Sequence, residues 1–140
     1  LFLPVLVALM SACRVQAKAV FAHFMVCLCL RDVTIDINMP RSWTMLAGTV
    51  ANWQKDIRLA QDSHIDAFAL NFANSGGAYA NQMSNAFSAA NSLGFKLFFS
   101  FDYAARGAFT QQEVINVIKQ YGSNGAYYKY NGKPFVSTFE

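Results

Sequence analysis

The chain has 140 residues, of which 54% are apolar and only 14% are charged, with a formal net charge of +3 at pH 7. This apolar content excludes an intrinsically disordered protein, because there is ample side-chain surface to bury. The charge is small and scattered, with no long basic run, which excludes nucleic acid as the main partner.

The first residues predict a signal peptide. Residues 1–12 (LFLPVLVALMSA) form an apolar run that is too short to span a bilayer, which takes about 20 residues, but has the length of a secretory h-region. Val15 and Ala17 are small residues suited to cleavage before Lys18. We therefore expect a leader over residues 1–17, incomplete at its start, on a protein that is secreted or held in the cell wall and has no membrane attachment after cleavage. A buried N-terminal strand is the alternative.

Four apolar runs predict buried strands, and three amphipathic runs between them predict helices. The predicted strands are residues 19–26, 65–72, 95–102 and 134–140, and the predicted helices are residues 50–63, 79–93 and 110–121. Strands that are apolar throughout are buried on both faces, as in a parallel sheet covered by helices. The fold class is therefore α/β. Two layouts remain open: a doubly wound sheet, or the first half, about four β/α units, of a (β/α)8 TIM-type barrel.

Local signals predict where the helices and turns begin and end. Asn52 is the candidate N-cap of the first helix, Gly94 ends the second, and Thr110 begins a capping box at the third. Asn131 and Gly132 predict a tight turn just before the last strand. That strand stops at the last residue of the sequence, so we expect the sequence to be truncated there.

Residues 27–48 do not fit this alternation. The segment has no clear period and is longer than the roughly two to six residues that usually join a strand to a helix. It is either a functional loop or a translated, unspliced intron, and a cDNA encoding it without interruption would contradict the intron. Cys27 and Cys29 lie in it without a second ligand pair, so no metal site is predicted.

Three polar residues end apolar strands: Asn71, Asp102 and Glu140. In a barrel the catalytic groups lie at the carboxyl ends of the strands, and a buried carboxylate is costly unless it is paired or faces a cleft. We take these three as candidate site residues, against the alternative that each only caps its strand or helix. His23 is either a core residue or a cleft residue, and Asp66, which begins its strand, is interpreted as a turn or cap.

Aromatic residues near the strand ends are a further candidate set. Sugar rings stack on such side chains because their C–H edges are apolar, whereas filling of the core is the simpler interpretation of most of them. These residues are Phe72, Tyr79, Phe101, Tyr103 and Phe109.

Five blocks of the sequence resemble, in the right order, the N-terminal part of the catalytic domain of glycoside hydrolase family 71, the fungal endo-α-1,3-glucanases or mutanases. The blocks are Lys18-AVFAHFMV, Asn52-WQKDIRLAQ, His64-IDAFALN, Leu93-GFKLFFSFDY and Tyr130-NGKPFVSTFE. The resemblance covers nearly all of residues 18–140 except 27–48, where the family has a short loop.

This resemblance implies that residues 18–140 are the N-terminal part of a (β/α)8 barrel. It also implies hydrolysis of α-1,3-glucosidic bonds in cell-wall glucan or mutan, with inversion and without a cofactor. Inversion requires one carboxylic acid and one carboxylate, about 6.5–9.5 Å apart. In the family this pair lies in a Trp-Asn-Asp-x-Gly-Glu-Ser motif on a later strand. The present sequence lacks that motif, so the pair is expected beyond residue 140, and the 140-residue chain alone is expected to be inactive.

The resemblance also assigns roles to individual residues. It implies that His23, Asn71, Tyr103 and Glu140 bind substrate and that Asp102 assists the chemistry, with Asp66 a weaker candidate for the same role. The expected partner is a polysaccharide, and the expected state is a monomer. Two alternatives stay open: a non-catalytic carbohydrate-binding or wall protein on the same barrel, and a barrel hydrolase for another glycan.

Overall fold

The computed structural model describes residues 18–26, 48–73 and 77–140. The predicted leader and all of the segment 27–48 except Gly48 lie outside the described residues. In chain order the elements are β1 (Phe21–Phe24), α1 (Val50–Asp62), β2 (Ala67–Phe72), α2 (Gly77–Leu93), β3 (Lys96–Asp102), α3 (Tyr103–Arg106), α4 (Gln111–Tyr121), β4 (Lys129–Tyr130), β5 (Lys133–Pro134) and β6 (Val136–Phe139).

One sheet contains four of the strands, in the order β1-β2-β3-β6, and all three pairings between them are parallel. Strands β4 and β5 form a separate antiparallel hairpin. The order within the sheet follows the chain without reversal. A doubly wound sheet reverses its order at a switch point, whereas the wall of a barrel runs sequentially. The four described strands show no such reversal, which favours the barrel layout over the doubly wound one.

The long helices pack on one face of this sheet. Trp53 of α1 contacts Phe24 with ring centroids 5.1 Å apart, and Tyr121 of α4 contacts Phe99 at 5.3 Å. Phe24 and Phe99 both pair with Leu70 in register, so their side chains point to the same side. Helix α2 lies between α1 and α4 and contacts both. This helix-covered face holds most of the apolar core.

Strands β2 and β3 are almost wholly buried, as predicted, but β1 and β6 are not. The prediction of burial on both faces is wrong for these two strands. Each has a single neighbour in the described sheet, and Val136 and Thr138 of β6 are exposed on the helix-covered side. These two runs therefore carry apolar side chains that the described residues leave partly or wholly exposed.

The helix ends follow local chemistry, with one correction. Thr49 caps α1: its hydroxyl accepts the Asn52 N–H at 3.3 Å, so the prediction of Asn52 as N-cap is wrong. Helix α1 begins one residue after Thr49, and Asn52 is therefore already in its first turn. At α4 the predicted capping box is confirmed, because Thr110 N–H donates to Glu113 Oε2 at 2.8 Å and the Thr110 hydroxyl accepts the Glu113 N–H.

Two predicted turns are also confirmed. Gly94, with φ +66°, ends α2 in the left-handed region that glycine favours. Asn131 and Gly132, with φ +49° and +76°, form the turn of the β4–β5 hairpin.

Gly48 fixes the entry of the chain into α1. Its N–H donates to Gln82 Oε1 at 2.8 Å, and its carbonyl accepts from Asn85 Nδ2 at 2.9 Å. A Cβ at position 48 would lie 2.5 Å from Trp53 Nε1 and 2.6 Å from Gln82 Oε1. A side chain at position 48 would therefore force Trp53 or Gln82 to shift, which favours glycine there.

Candidate functional site

The face of the sheet opposite the helices carries the polar candidates, and we call it the open face. Asn71 of β2 pairs in register with Ser100 of β3, and two residues further along β3, Asp102 pairs with Phe139 of β6. Strand residues two positions apart point to the same side, so Asn71, Ser100 and Asp102 share the open face with His23, which pairs with Ala69. The carboxyl ends of three strands thus bring these four side chains together, and we call His23, Asn71, Ser100 and Asp102 the polar cluster.

Asp102 is the most constrained of these residues. It is only 4% exposed, and both carboxylate oxygens accept hydrogen bonds: Oδ2 from Asn71 Nδ2 at 2.8 Å and Oδ1 from Ala105 N–H at 2.9 Å. The second bond makes Asp102 the N-cap of α3. The Asn71 bond, helped by the N–H groups of Ala105 and Ala104 and by His23, lowers the pKa of Asp102 despite the opposing effect of burial. The carboxylate therefore stays ionised.

Asn71 is held by hydrogen bonds to both its side chain and its backbone. Its side chain donates to Asp102, and its backbone carbonyl accepts a hydrogen bond from the Tyr79 hydroxyl. Asn71 and Tyr79 are each 2% exposed, and burial raises the pKa of Tyr79. The phenol is thus a neutral donor, and the Asn71 amide has a defined direction.

His23 and Phe139 show that the open face is concave. They lie on β1 and β6, the two edges of the described sheet, and their rings stack with centroids 5.2 Å apart at an interplanar angle of 21°. In a flat sheet, strands three positions apart are separated by about 14 Å. The ring contact therefore requires strong curvature towards the open face.

Two other predicted residues lie at the same end of the sheet. Tyr103 follows Asp102 as the first residue of α3 and is half-buried, with its ring edge against Phe109 at 5.7 Å. Glu140 follows the last residue of β6 and is exposed. Tyr103 thus packs with Phe109, which contacts Phe72 and Phe101 on the helix-covered side, and Glu140 lies at the end of β6 next to Phe139.

Asp66 lies at the opposite end of β2. Its Oδ2 accepts the Val20 N–H at 2.7 Å, and its own N–H donates to the Val20 carbonyl at 2.8 Å. These bonds tie the chain before β1 to the start of β2. They match the interpretation of Asp66 as a turn or cap residue and separate it from the cluster on the open face.

Phe139, which the strand-end pattern does not predict as a site residue, presents an aromatic ring on the open face. Its signal is alternation within β6, where Ser137 and Phe139 face one side, but that signal requires the register to be known. Most of the aromatic residues proposed instead lie in the core, with Phe72, Tyr79, Phe101 and Phe109 all buried.

Among the described residues, no three His, Cys, Asp or Glu side chains are grouped closely enough to hold a metal ion. Cys27 and Cys29 lie outside those residues. None of the helices that the structure describes is long and apolar enough to cross a membrane.

The fold and the cluster define a parallel α/β protein with its polar groups at the carboxyl ends of the strands. The same fold occurs in the GH99 endo-alpha-mannosidase from Bacteroides thetaiotaomicron, with a TM-score of 0.62 and 18% identity over 72% of this chain and 32% of that chain. A second structure of that enzyme gives the same TM-score. Identity this low supports the fold alone.

The sequence model of glycosyl hydrolase family 71 matches residues 16–140, and the chain belongs to this family. A mutanase of Penicillium rubens is 33% identical over 124 residues, which are 89% of this chain and 24% of that protein. A glucan endo-1,3-alpha-glucosidase of Schizosaccharomyces pombe is 38% identical over 93 residues, 65% of this chain and 22% of that protein. The chain thus spans less than a quarter of the length of either relative, and the predicted family is confirmed.

Proposed function

We propose that the protein is part of a glycoside hydrolase that cleaves α-1,3-glucosidic bonds in a glucan. The observation that carries this proposal is the family match over residues 16–140. The names of the two relatives, a mutanase and a glucan endo-1,3-alpha-glucosidase, point to the same polysaccharide. The open face would form part of the substrate cleft.

The sheet is, in this proposal, one half of a (β/α)8 barrel. Sequential parallel strands, helices on one face and strong curvature towards the other support this assignment. The cluster then lies on the face of the barrel where active sites of this architecture occur. Residues 27–48 would be an insertion in the sequence after the first strand.

The mechanism we propose is inversion by a carboxylic acid and a carboxylate that residues beyond 140 supply. The acid protonates the leaving oxygen, and the carboxylate activates water on the opposite face of the sugar. The residues of this chain bind and orient the sugar. Asp102, kept ionised by Asn71, accepts a hydrogen bond from a sugar hydroxyl, and the rings of His23 and Phe139 offer an apolar surface to sugar C–H groups.

We also propose that the mature protein is a secreted or cell-wall monomer. The apolar run over residues 1–12, with small residues before Lys18, supports export. Mass spectrometry of the secreted protein tests this, since its first residue should be Lys18. An N-terminus that retains the apolar run would contradict the leader.

The test of the activity uses the protein encoded by the locus read to its stop codon. We expect it to release reducing sugar from α-1,3-glucan and not from α-1,4-glucan, β-1,3-glucan or α-mannan, with the product formed first as the β-anomer. Release of reducing sugar only from one of the other glycans would support a hydrolase with a different substrate. Co-sedimentation with α-1,3-glucan without any release would support a non-catalytic binder.

The 140-residue chain, assayed alone on the same substrate, should release nothing, because the catalytic pair is assigned beyond it. Any release of reducing sugar by this chain would contradict that assignment.

A further inference from the structure

Tyr79 lies behind the open face rather than on it. It is in the first turn of α2, is 2% exposed, and packs edge-on against Phe72 with ring centroids 5.2 Å apart. Its hydroxyl reaches the last part of β2 and donates to the backbone carbonyl of Asn71. The helix layer is thereby bonded to the strand end that carries the polar cluster.

Asn71 connects this contact to the carboxylate. Its backbone pairs in register with Ser100 of β3, its carbonyl also accepts from Tyr79, and its side-chain amide donates to Asp102 Oδ2 at 2.8 Å. Because Asn71 is 2% exposed, solvent has little access to replace either bond. The direction of the amide therefore depends on where the backbone of residue 71 is held.

We propose that Tyr79 is a positioning residue for the reaction: by fixing the Asn71 carbonyl, it sets the amide that orients the Asp102 carboxylate on the open face. This inference rests on the proposed function. Tyr79 itself contacts no substrate, because its ring and hydroxyl lie on the helix-covered side.

The pKa of Asp102 provides a measurable readout of the contacts among Tyr79, Asn71 and Asp102. The Asn71 hydrogen bond is the largest cause of the lowered pKa of Asp102, and His23 and Tyr79 are titratable groups that interact with its charge. If the amide loses its fixed direction, the hydrogen bond weakens and the pKa of Asp102 rises. A purely structural role of Tyr79 would not move this pKa.

Tyr127 provides a matched control. It is also 2% exposed, and its hydroxyl donates to a backbone carbonyl, that of Phe135, at 3.0 Å. Tyr127 pairs with Leu97, near the amino end of β3, whereas Asp102 ends that strand. Tyr79→Phe and Tyr127→Phe therefore each remove a buried hydroxyl that donates to a backbone carbonyl, and of the two only Tyr79 donates to Asn71, the residue that donates to Asp102.

The experiment compares the wild type, Tyr79→Phe and Tyr127→Phe in the protein encoded to its stop codon. The kcat/KM on α-1,3-glucan is measured against pH, and the Asp102 carboxyl is titrated by 13C NMR, its signal assigned by its loss in Asp102→Asn. We expect Tyr79→Phe to lower kcat/KM by about threefold to tenfold, the equivalent of one hydrogen bond, and to move the Asp102 titration to higher pH. Tyr127→Phe should change neither, although both variants lose similar thermal stability.

Equal effects of the two variants on kcat/KM and on the titration would overturn the inference. If the wild type itself is inactive on α-1,3-glucan, the proposed function fails. The Asp102 titration then still decides whether Tyr79 positions Asn71, since it needs no turnover.

Discussion

Asp102 illustrates how opposing effects set the charge of one residue. Burial to 4% exposure alone would raise its pKa and favour the neutral acid. The amide of Asn71 and the N–H groups at the start of α3 act in the opposite direction and prevail, so that the pKa is lowered. The chain thereby keeps a negative charge at the carboxyl end of β3.

Replacement of this charge tests its role in binding. We expect Asp102→Asn, which keeps the shape, to lower kcat/KM by about 10- to 100-fold, the usual worth of a charged hydrogen bond. The assay is initial-rate hydrolysis of α-1,3-glucan by the protein encoded to its stop codon. Asp62→Asn, at an exposed position on α1, is the control and should leave the rate unchanged. An unaltered rate in Asp102→Asn would remove Asp102 from the site.

The lowered pKa of Asp102 also predicts a pH dependence of stability. Its contribution is fully present above the unfolded-state pKa and is lost as the pH falls through the lower folded-state pKa. The difference in free energy of unfolding between wild type and Asp102→Asn should therefore be constant above about pH 5 and shrink below about pH 4. Urea unfolding at a series of pH values measures it, and a difference that grows on acidification would contradict the lowered pKa.

Position along the strand was enough to predict that Asn71 and Asp102 lie near the carboxyl ends of their strands, because each closes an apolar run. Position was not enough to predict the place of Phe139 or the contact of Tyr79 with Asn71. Phe139 belongs to the open face only because β6 pairs with β3 in one register, and Tyr79 reaches Asn71 from a helix. Both facts depend on tertiary packing, which local pattern does not encode.

At the scale of elements, the entry into α1 depends on a close approach between three parts of the chain. Gly48 lies against Trp53 of α1 and is bonded to Gln82 of α2. The bond holds the first turn of α1 against α2. The indole N–H of Trp53 is buried away from solvent and lies beside Gly48.

We expect Gly48→Ala to destabilise the protein by about 1–3 kcal/mol, the usual cost of overpacking. The added methyl group would meet Trp53 Nε1 at 2.5 Å and Gln82 Oε1 at 2.6 Å. Gly125→Ala is the matched control, because its Cβ would meet Asn91 Oδ1 at an ordinary 3.4 Å. Chemical denaturation of both variants measures the difference. Equal free energies of unfolding for Gly48→Ala and Gly125→Ala would show that Trp53 and Gln82 shift without a cost in stability.

The predicted bounds of the three long helices and of the four strands of the sheet all lie within about two residues of the observed ones. Caps and glycines mark the helix bounds in the sequence. The strands are shorter than their apolar runs: residues 19–26 contain the strand Phe21–Phe24, and residues 134–140 contain Val136–Phe139. Strand ends are set by where a neighbour stops pairing, and that is a property of the sheet.

At the scale of the whole molecule, the described sheet has two edges that carry apolar groups. Val20 and Met25 beside β1 are 51% and 53% exposed, and Val136 and Phe139 of β6 are 37% and 44% exposed. Unpaired strand edges of this composition associate with one another. The rest of a barrel would cover them.

We therefore expect residues 18–140 expressed alone to aggregate, and the protein encoded to its stop codon to run as a monomer on size-exclusion chromatography. Val136→Lys in the short form should raise its soluble fraction, because a charge on an edge strand opposes association. Val136→Ile, which keeps the apolar edge, is the control. A short form that is monomeric and soluble without the lysine would contradict the role of the edges.

The spacing of the first strand pair has a consequence for how insertions are tolerated. Phe21 pairs with Ala67, and residues 27–48 account for about half of the chain between them. Loop-closure entropy grows only logarithmically, so doubling a connection costs about 0.6 kcal/mol. If residues 27–48 are an insertion, as we propose, the β1–β2 pairing would keep its register with that added length at a small entropic cost.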